Sequence, residues 1–272
     1  MTLVKRLLSV TALLFATGLF MLYFLQEKLI FFSSRLPQDY EYPFTVPHEE
    51  LFLAAPDGAV LNGLHYKQQH PKGVILYSHG NAGHLGEWGA WAQELSQRYT
   101  YDVVVWDYRG YGKSTGKRRQ DAMLEDGRLF YDYCLQHFEE DQLTVFGRSL
   151  GTFFATHMAL GNRPKQLILE SGPTNLLDMA QKEYPWLPAR LLLKFRFDNL
   201  INITEIQIPT HIIHGKEDQL VPHTHAEVLL EKSEASTKKL YSIMGGGHNN
   251  LPEYADYFGV LDSILFSTGS QG

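Results

Sequence analysis

The chain has 272 residues, 44% of them hydrophobic and 13% aromatic, enough for one large α/β domain with a real buried core. Its formal charge is −6, and the short basic run Lys117, Arg118, Arg119 offers no extended face to replace counterions along a phosphate backbone, which argues against a nucleic-acid partner. With Cys134 as the single cysteine there is no internal disulfide, thiolate metal cluster or C-x-x-C pair; the residue lies at helical apolar spacing in LFYDYCLQHF and reads as a buried filler.

Leu7 to Leu25 carries no charge, and as a helix this run spans about 28 Å, close to the hydrocarbon thickness of a bilayer. Lys5 and Arg6 precede it as in a secretory signal. The run exceeds the apolar core of a cleaved signal, however, and Ala16-Thr17-Gly18, a poor cleavage site, is buried inside it. Residues 1–26 are therefore expected to be an uncleaved, single-pass anchor. Lys28 and Arg35 nearly balance Lys5 and Arg6, and the α-amino group tips the count toward a cytoplasmic N-terminus with the rest of the chain extracytoplasmic.

Residues 27–48 read as a linker, Tyr- and Pro-rich from 37 to 47, and 49–272 as the folded domain. EELFLAAPDG and AVLNGLHYKQ meet at Asp57-Gly58, a hairpin signal, and predict an antiparallel edge pair. GVILYSHG, YDVVVWDYRG, QLTVFGRS, QLILESG, THIIHGKED and KLYSIMGGG add six strands, several of them continuous apolar runs as expected where both faces are covered. Helical stretches between them, near 87–99, 121–137, 150–160, 223–233 and 254–266, predict a mainly parallel sheet of eight strands with helices on both faces. Residues 173–205 interrupt the alternation with two amphipathic pieces split by Pro185 and Pro188, an inserted cap whose Tyr184, Trp186, Leu191 to Leu193, Phe195 and Phe197 serve equally as an acyl pocket or as cap core.

Two stretches fit G-x-S-x-G, Gly112 to Gly116 and Gly147 to Gly151. Ser149 follows the strand LTVF and opens a helix, which is the setting of a nucleophile elbow; Ser114 sits in a glycine-rich loop with no helix at the serine. A serine hydroxyl needs a base held in one tautomer by an acid, and after an elbow the chain order is Ser, acid, His. His248, in MGGGHNN beyond the last strand, is favoured over His223 and His225, and Asp218, in the turn after the penultimate strand, over Glu170 and Glu217. Two backbone N–H donors for an oxyanion are assigned to Leu150, next to the serine, and to Asn81 of SHGNAG, with Ala82 as the alternative. His79, ahead of the serine in the chain, reads as a structural hydrogen-bonder.

HGNAG, DYRGYGKS, GRSLG and the pair HGKEDQLVP with GGGHN, each in its place over about residues 49–266, resemble the α/β-hydrolase superfamily. With the N-terminal span, the chain looks like its single-pass, membrane-anchored abhydrolase-13-like branch. The resemblance implies a Ser149, His248, Asp218 triad, no metal or organic cofactor and a structural role for the DYRG loop; the leading reading is cleavage of an ester or thioester in a small-molecule or lipid-like acyl substrate. The competing readings are a peptidase or acyltransferase with the same triad and, in a different class, a non-catalytic membrane-tethered binding module.

Overall fold

The computed structural model describes residues 3–266; residues 1–2 of the expected anchor and 267–272 of the expected domain lie outside the described residues. Helix α1 (Leu3–Ile30) has 28 residues, its apolar stretch is not buried against the rest of the chain, and it is long and apolar enough to cross a membrane. It runs on to Ile30, into the stretch read as linker. Strand β1 (Phe32–Ser33) follows, then an irregular segment whose Tyr42 and Val46 are buried in the domain.

The domain then unrolls as β2 (His48–Ala54), β3 (Val60–Tyr66), β4 (Val74–Ser78), the two-residue β5 (Ala82–Gly83), α2 (Leu85–Tyr99), β6 (Asp102–Trp106), α3 (Gln120–Leu135), β7 (Leu143–Arg148), α4 (Gly151–Ala159) and β8 (Gln166–Glu170). After three cap helices, α5 (Leu176–Glu183), α6 (Ala189–Leu192) and α7 (Asn199–Ile203), come β9 (Thr210–Gly215), α8 (Thr224–Lys232), β10 (Lys238–Ile243) and α9 (Ala255–Leu265).

The eight predicted strands form one sheet in the order β10-β9-β8-β7-β4-β6-β3-β2, parallel from β10 to β6, with β3 antiparallel to β6 and to the edge strand β2. The β2–β3 turn is the Asp57-Gly58 site, where Gly58 takes φ 84 and Ala55 donates to the Ala59 carbonyl at 2.8 Å. Side-chain alternation along the central strands feeds two cores: Leu76, Val104, Val145 and Leu167 pack with Phe130, Phe153 and Met158 of α3 and α4, while Ile75, Val103, Phe146 and Ile168 pack with Leu95 and Leu261 of α2 and α9. Burial on both faces is why these strands read as continuous apolar runs. Cys134 is buried in the first core.

Two details of the cap differ from expectation. It holds three short helices, and the third, α7, is capped by Asp198, whose carboxylate accepts the Ile201 N–H. Its apolar residues also divide: Phe195 and Phe197 are core, whereas Tyr184, Trp186 and Leu191 face outward.

Candidate active site

Neighbouring β4, β7 and β8 bring their carboxyl ends together, with Ser78 opposite Gly147 and Arg148 opposite Glu170. At the end of β7 the chain turns within one residue into α4. Ser149 takes φ 50, left-handed for a non-glycine residue, and its N–H donates to the Glu170 carbonyl at 2.8 Å. A side chain at Gly147 would strike the Gly151 carbonyl, and one at Gly151 would strike that of Ser78, so both glycines of the motif are required by close backbone approach. Ser114, in the competing match, is fully buried; its hydroxyl donates to the Asp107 carbonyl at 2.7 Å and accepts the Asn62 N–H at 2.8 Å, which makes it a loop fastener.

His248 reaches Ser149 from the loop after β10: its Nε2 lies 3.0 Å from the Ser149 Oγ, and its Nδ1 lies 2.7 Å from an Asp218 carboxylate oxygen. Of the glycines before it, Gly245 takes φ 76 and a side chain at Gly246 would strike Leu251, while on the facing end of β9 a side chain at Gly215 would strike the Gly246 carbonyl. The other Asp218 oxygen accepts the N–H groups of Leu220 and Val221 at 3.0 and 2.8 Å. Burial pushes the Asp218 carboxyl up, but hydrogen bonds from His214 and His248, the His248 charge and the Val221 N–H outweigh it and hold the group well below the usual carboxylate range.

The alternatives are engaged elsewhere. Glu170 pairs with Arg148 at 3.2 Å and accepts the Tyr257 hydroxyl at 2.7 Å, and Glu217 is exposed. His223 bonds Glu227 and Ser242, and His225 bonds Thr174. Arg148, inside the motif, is buried; besides Glu170 it donates to the His248 carbonyl at 3.3 Å and lies 5.2 Å over the Trp88 ring, so it braces the loop that carries the histidine.

On the other side of Ser149 lies the 79–83 loop, where a Cβ on Gly80 would sit 4.0 Å from that of the serine. Leu150 is the N-cap of α4, where the first N–H groups of a helix have no intrahelical partner. His79 is fully buried, stacked on Tyr108 and Trp88, with Nδ1 on the Gly80 carbonyl at 2.6 Å and Nε2 3.3 Å from Asp107, the structural role expected of it. Among the described residues no cluster of three His, Cys, Asp or Glu is placed to hold a metal ion.

Two contributors were not legible beforehand. His214 places Nε2 3.3 Å from the Asp218 oxygen that His248 uses, and 2.8 Å from the Val221 carbonyl; the two residues are four apart, but the contact is made from a strand end across a turn, where that spacing carries no signal. The Asn81 side chain is the second: its amide nitrogen donates to the Ile30 carbonyl at 2.6 Å, and its oxygen accepts the Tyr111 hydroxyl at 2.8 Å and the Phe32 N–H at 3.4 Å. Around it β1 pairs in parallel with β5, and Gly112 donates to the Ser34 carbonyl at 2.8 Å. The chain leaving α1 is thus wedged between the 79–83 loop and the 107–114 loop.

A family model described as serine aminopeptidase, S33, matches residues 69–200. Over 268 residues the chain is 30% identical to an uncharacterized protein of Mycobacterium tuberculosis, Rv2307c, an alignment covering 95% of this chain and 94% of that one. It is 33% identical over 176 residues to the lysophosphatidylserine lipase ABHD12 of Danio rerio, across 58% of this chain and 46% of the lipase. A solved Pyrococcus furiosus esterase superposes with a TM-score of 0.71 at 16% identity, over 88% of this chain and 97% of the esterase, a likeness of fold.

Proposed function

Because the chain belongs to the α/β-hydrolase superfamily, we propose that it is a serine hydrolase that cleaves an ester or thioester through an acyl-enzyme. The observation that carries this reading is the hydrogen-bonded relay Ser149, His248, Asp218, assembled from three separate strand ends at 3.0 and 2.7 Å. In the proposed reaction the Ser149 Oγ attacks the carbonyl carbon as His248 Nε2 takes its proton. Asp218 holds the Nδ1–H and steadies the imidazolium. The N–H groups of Leu150 and Asn81 receive the oxyanion. Collapse expels the alcohol or thiol, which collects the proton from His248, and water then repeats the sequence on the acyl-serine to release the acid.

The substrate class proposed is a lipid-like acyl compound, supported by the lipase among the relatives and by α1. We read α1 as a single-pass anchor with the domain on the extracytoplasmic side, an orientation that protease protection of sealed vesicles tests. The description of the matching family favours a second reading, hydrolysis of a short peptide from its N-terminus by the same residues.

The test is covalent labelling of the folded full chain by a fluorophosphonate, with turnover measured on p-nitrophenyl esters, acyl thioesters and aminoacyl anilides. Labelling of wild type that vanishes in Ser149→Ala supports the serine mechanism, and the faster substrate series selects between ester and peptide. A folded wild-type protein that takes no label defeats the reading.

A further inference from the structure

The cap surface between Lys182 and Arg196 has no part in the relay, yet it is unusual in two ways. Tyr184, Trp186 and Leu191 are 49%, 69% and 80% exposed, three large apolar side chains left open to solvent in one short segment. Lys182, Arg190, Lys194 and Arg196 are exposed beside them against one acid, Glu183, so the strip is basic in a chain whose net charge is −6.

Its position is set by α1. The Gln26 side chain, buried at the end of the uncharged run, donates to the Leu192 carbonyl at 3.0 Å and accepts the Lys194 N–H at 2.8 Å. The Lys194 ammonium lies 4.4 Å from the Tyr23 ring centroid and 5.2 Å from that of Phe24, and Phe31 packs edge-on against Phe195 at 4.8 Å. At about 1.5 Å per residue, Tyr23 to Gln26 lie within about 5 Å of the level at which α1 leaves the hydrocarbon. The segment 192–195 is held at that level, and α6, a single turn, is joined directly to it.

We propose that this strip is a membrane-contact surface: Trp186 and Leu191 enter the headgroup boundary of the bilayer that α1 crosses, and Arg190, Lys194 and Arg196 meet its anionic headgroups. The occupant is a lipid surface rather than a protein because the strip is clamped to the helix that fixes its depth, and because aromatic, leucine and basic side chains together are what an anionic interface retains. The cap springs from the end of β8, whose last carbonyl accepts the Ser149 N–H, so a cap resting on the bilayer sets the site beside it and an ester lipid reaches the site from the membrane plane. The surface inference rests on α1 spanning the bilayer; its bearing on substrate rests on the hydrolase reading.

The chain has four tryptophans, Trp88, Trp91, Trp106 and Trp186, none of them in α1. The full chain is reconstituted in phosphatidylcholine–phosphatidylserine vesicles with brominated acyl chains, and tryptophan emission is read. Wild type should be quenched, and Trp186→Phe should lose most of that quenching. Absence of quenching in the inserted wild type, or equal quenching in Trp186→Phe, overturns the proposal. Independently, Leu191→Glu should slow turnover of a vesicle-borne ester by about tenfold while sparing a water-soluble short-chain p-nitrophenyl ester; equal loss on both counts against it. A labelled protein that turns over neither ester counts against the ester reading alone, and the quenching result still decides the membrane contact.

Discussion

Ser149 donates its backbone N–H to the Glu170 carbonyl at 2.8 Å while its own backbone is held at φ 50, a conformation that costs an L-residue free energy. Ser149→Ala and Ser149→Gly should both reduce kcat by on the order of 10⁴- to 10⁶-fold. They should differ in stability, because alanine keeps the strained Cβ and glycine has none: the glycine variant should be more stable by about 1 kcal/mol, a Tm about 2 to 4 °C higher. Calorimetry of the two variants checks this, and coincident melting curves would place no strain at the turn.

Asp218 gives a pH-dependent prediction. Its folded-state pKa lies below the ordinary 3.8, so its stabilising contribution is complete above about pH 4 and is lost as pH falls through the folded value. Asp218→Asn removes that dependence: plotted against pH from 2 to 7, the acid limb of its urea midpoint should be shallower than that of wild type. The same variant should lower kcat by about 10⁴-fold, since an amide no longer fixes the His248 tautomer.

The Asn81 side chain is predicted to act on rate through the loop it holds. Asn81→Ala keeps the backbone N–H assigned to the oxyanion but releases its ties to Ile30, Phe32 and Tyr111. Tyr111→Phe removes only the hydroxyl that reaches the Asn81 side-chain and backbone oxygens at 2.8 and 2.9 Å. Full loss of an oxyanion donor costs about 10²- to 10³-fold, so a loosened one should cost about tenfold in kcat, with KM unchanged. A loss confined to KM would assign Asn81 to substrate binding instead.

Arg109 should matter for stability and not for chemistry. Its buried guanidinium bonds both oxygens of Asp126, at 2.6 and 2.8 Å, and pairs with Asp57. Arg109→Met strands Asp126 in the core, and breaking such a pair costs about 3 to 5 kcal/mol. Urea unfolding measures the loss, while kcat of the folded fraction should stay at the wild-type value.

Much of this architecture could be read from residues because it is written in side-chain type and spacing. Strands buried on both faces gave continuous apolar runs such as VVVW, and the elbow announces itself because Gly147 and Gly151 have no room for a side chain. Chain order singles out Asp218 and His248, and the contact between them follows from the way β9 and β10 end side by side. What stayed hidden is made by backbone or by turns. The β1–β5 pairing uses main-chain groups that any residue supplies, His214 meets Asp218 across a loop, and α7 is only five residues long, too short to show a period. Trp186 and Leu191 show the other limit, since apolar character predicts burial only on average and these two side chains are exposed.

The seam made by residues 30–36 has a practical consequence for anyone who wants the domain in water. Removing everything through residue 36 would discard β1, take Ser33 from Arg118, expose backbone groups of Gly83 and Gly112, and leave the Asn81 amide without the Ile30 carbonyl. Gln26, which holds the cap segment at Leu192 and Lys194, would go as well. The shortest detergent-free form that keeps both this seam and the Gln26 contact to the cap therefore begins inside α1, ahead of Gln26, and a protease that sheds the domain by cutting beyond Ile30 would release it with the loop beside Ser149 unfastened.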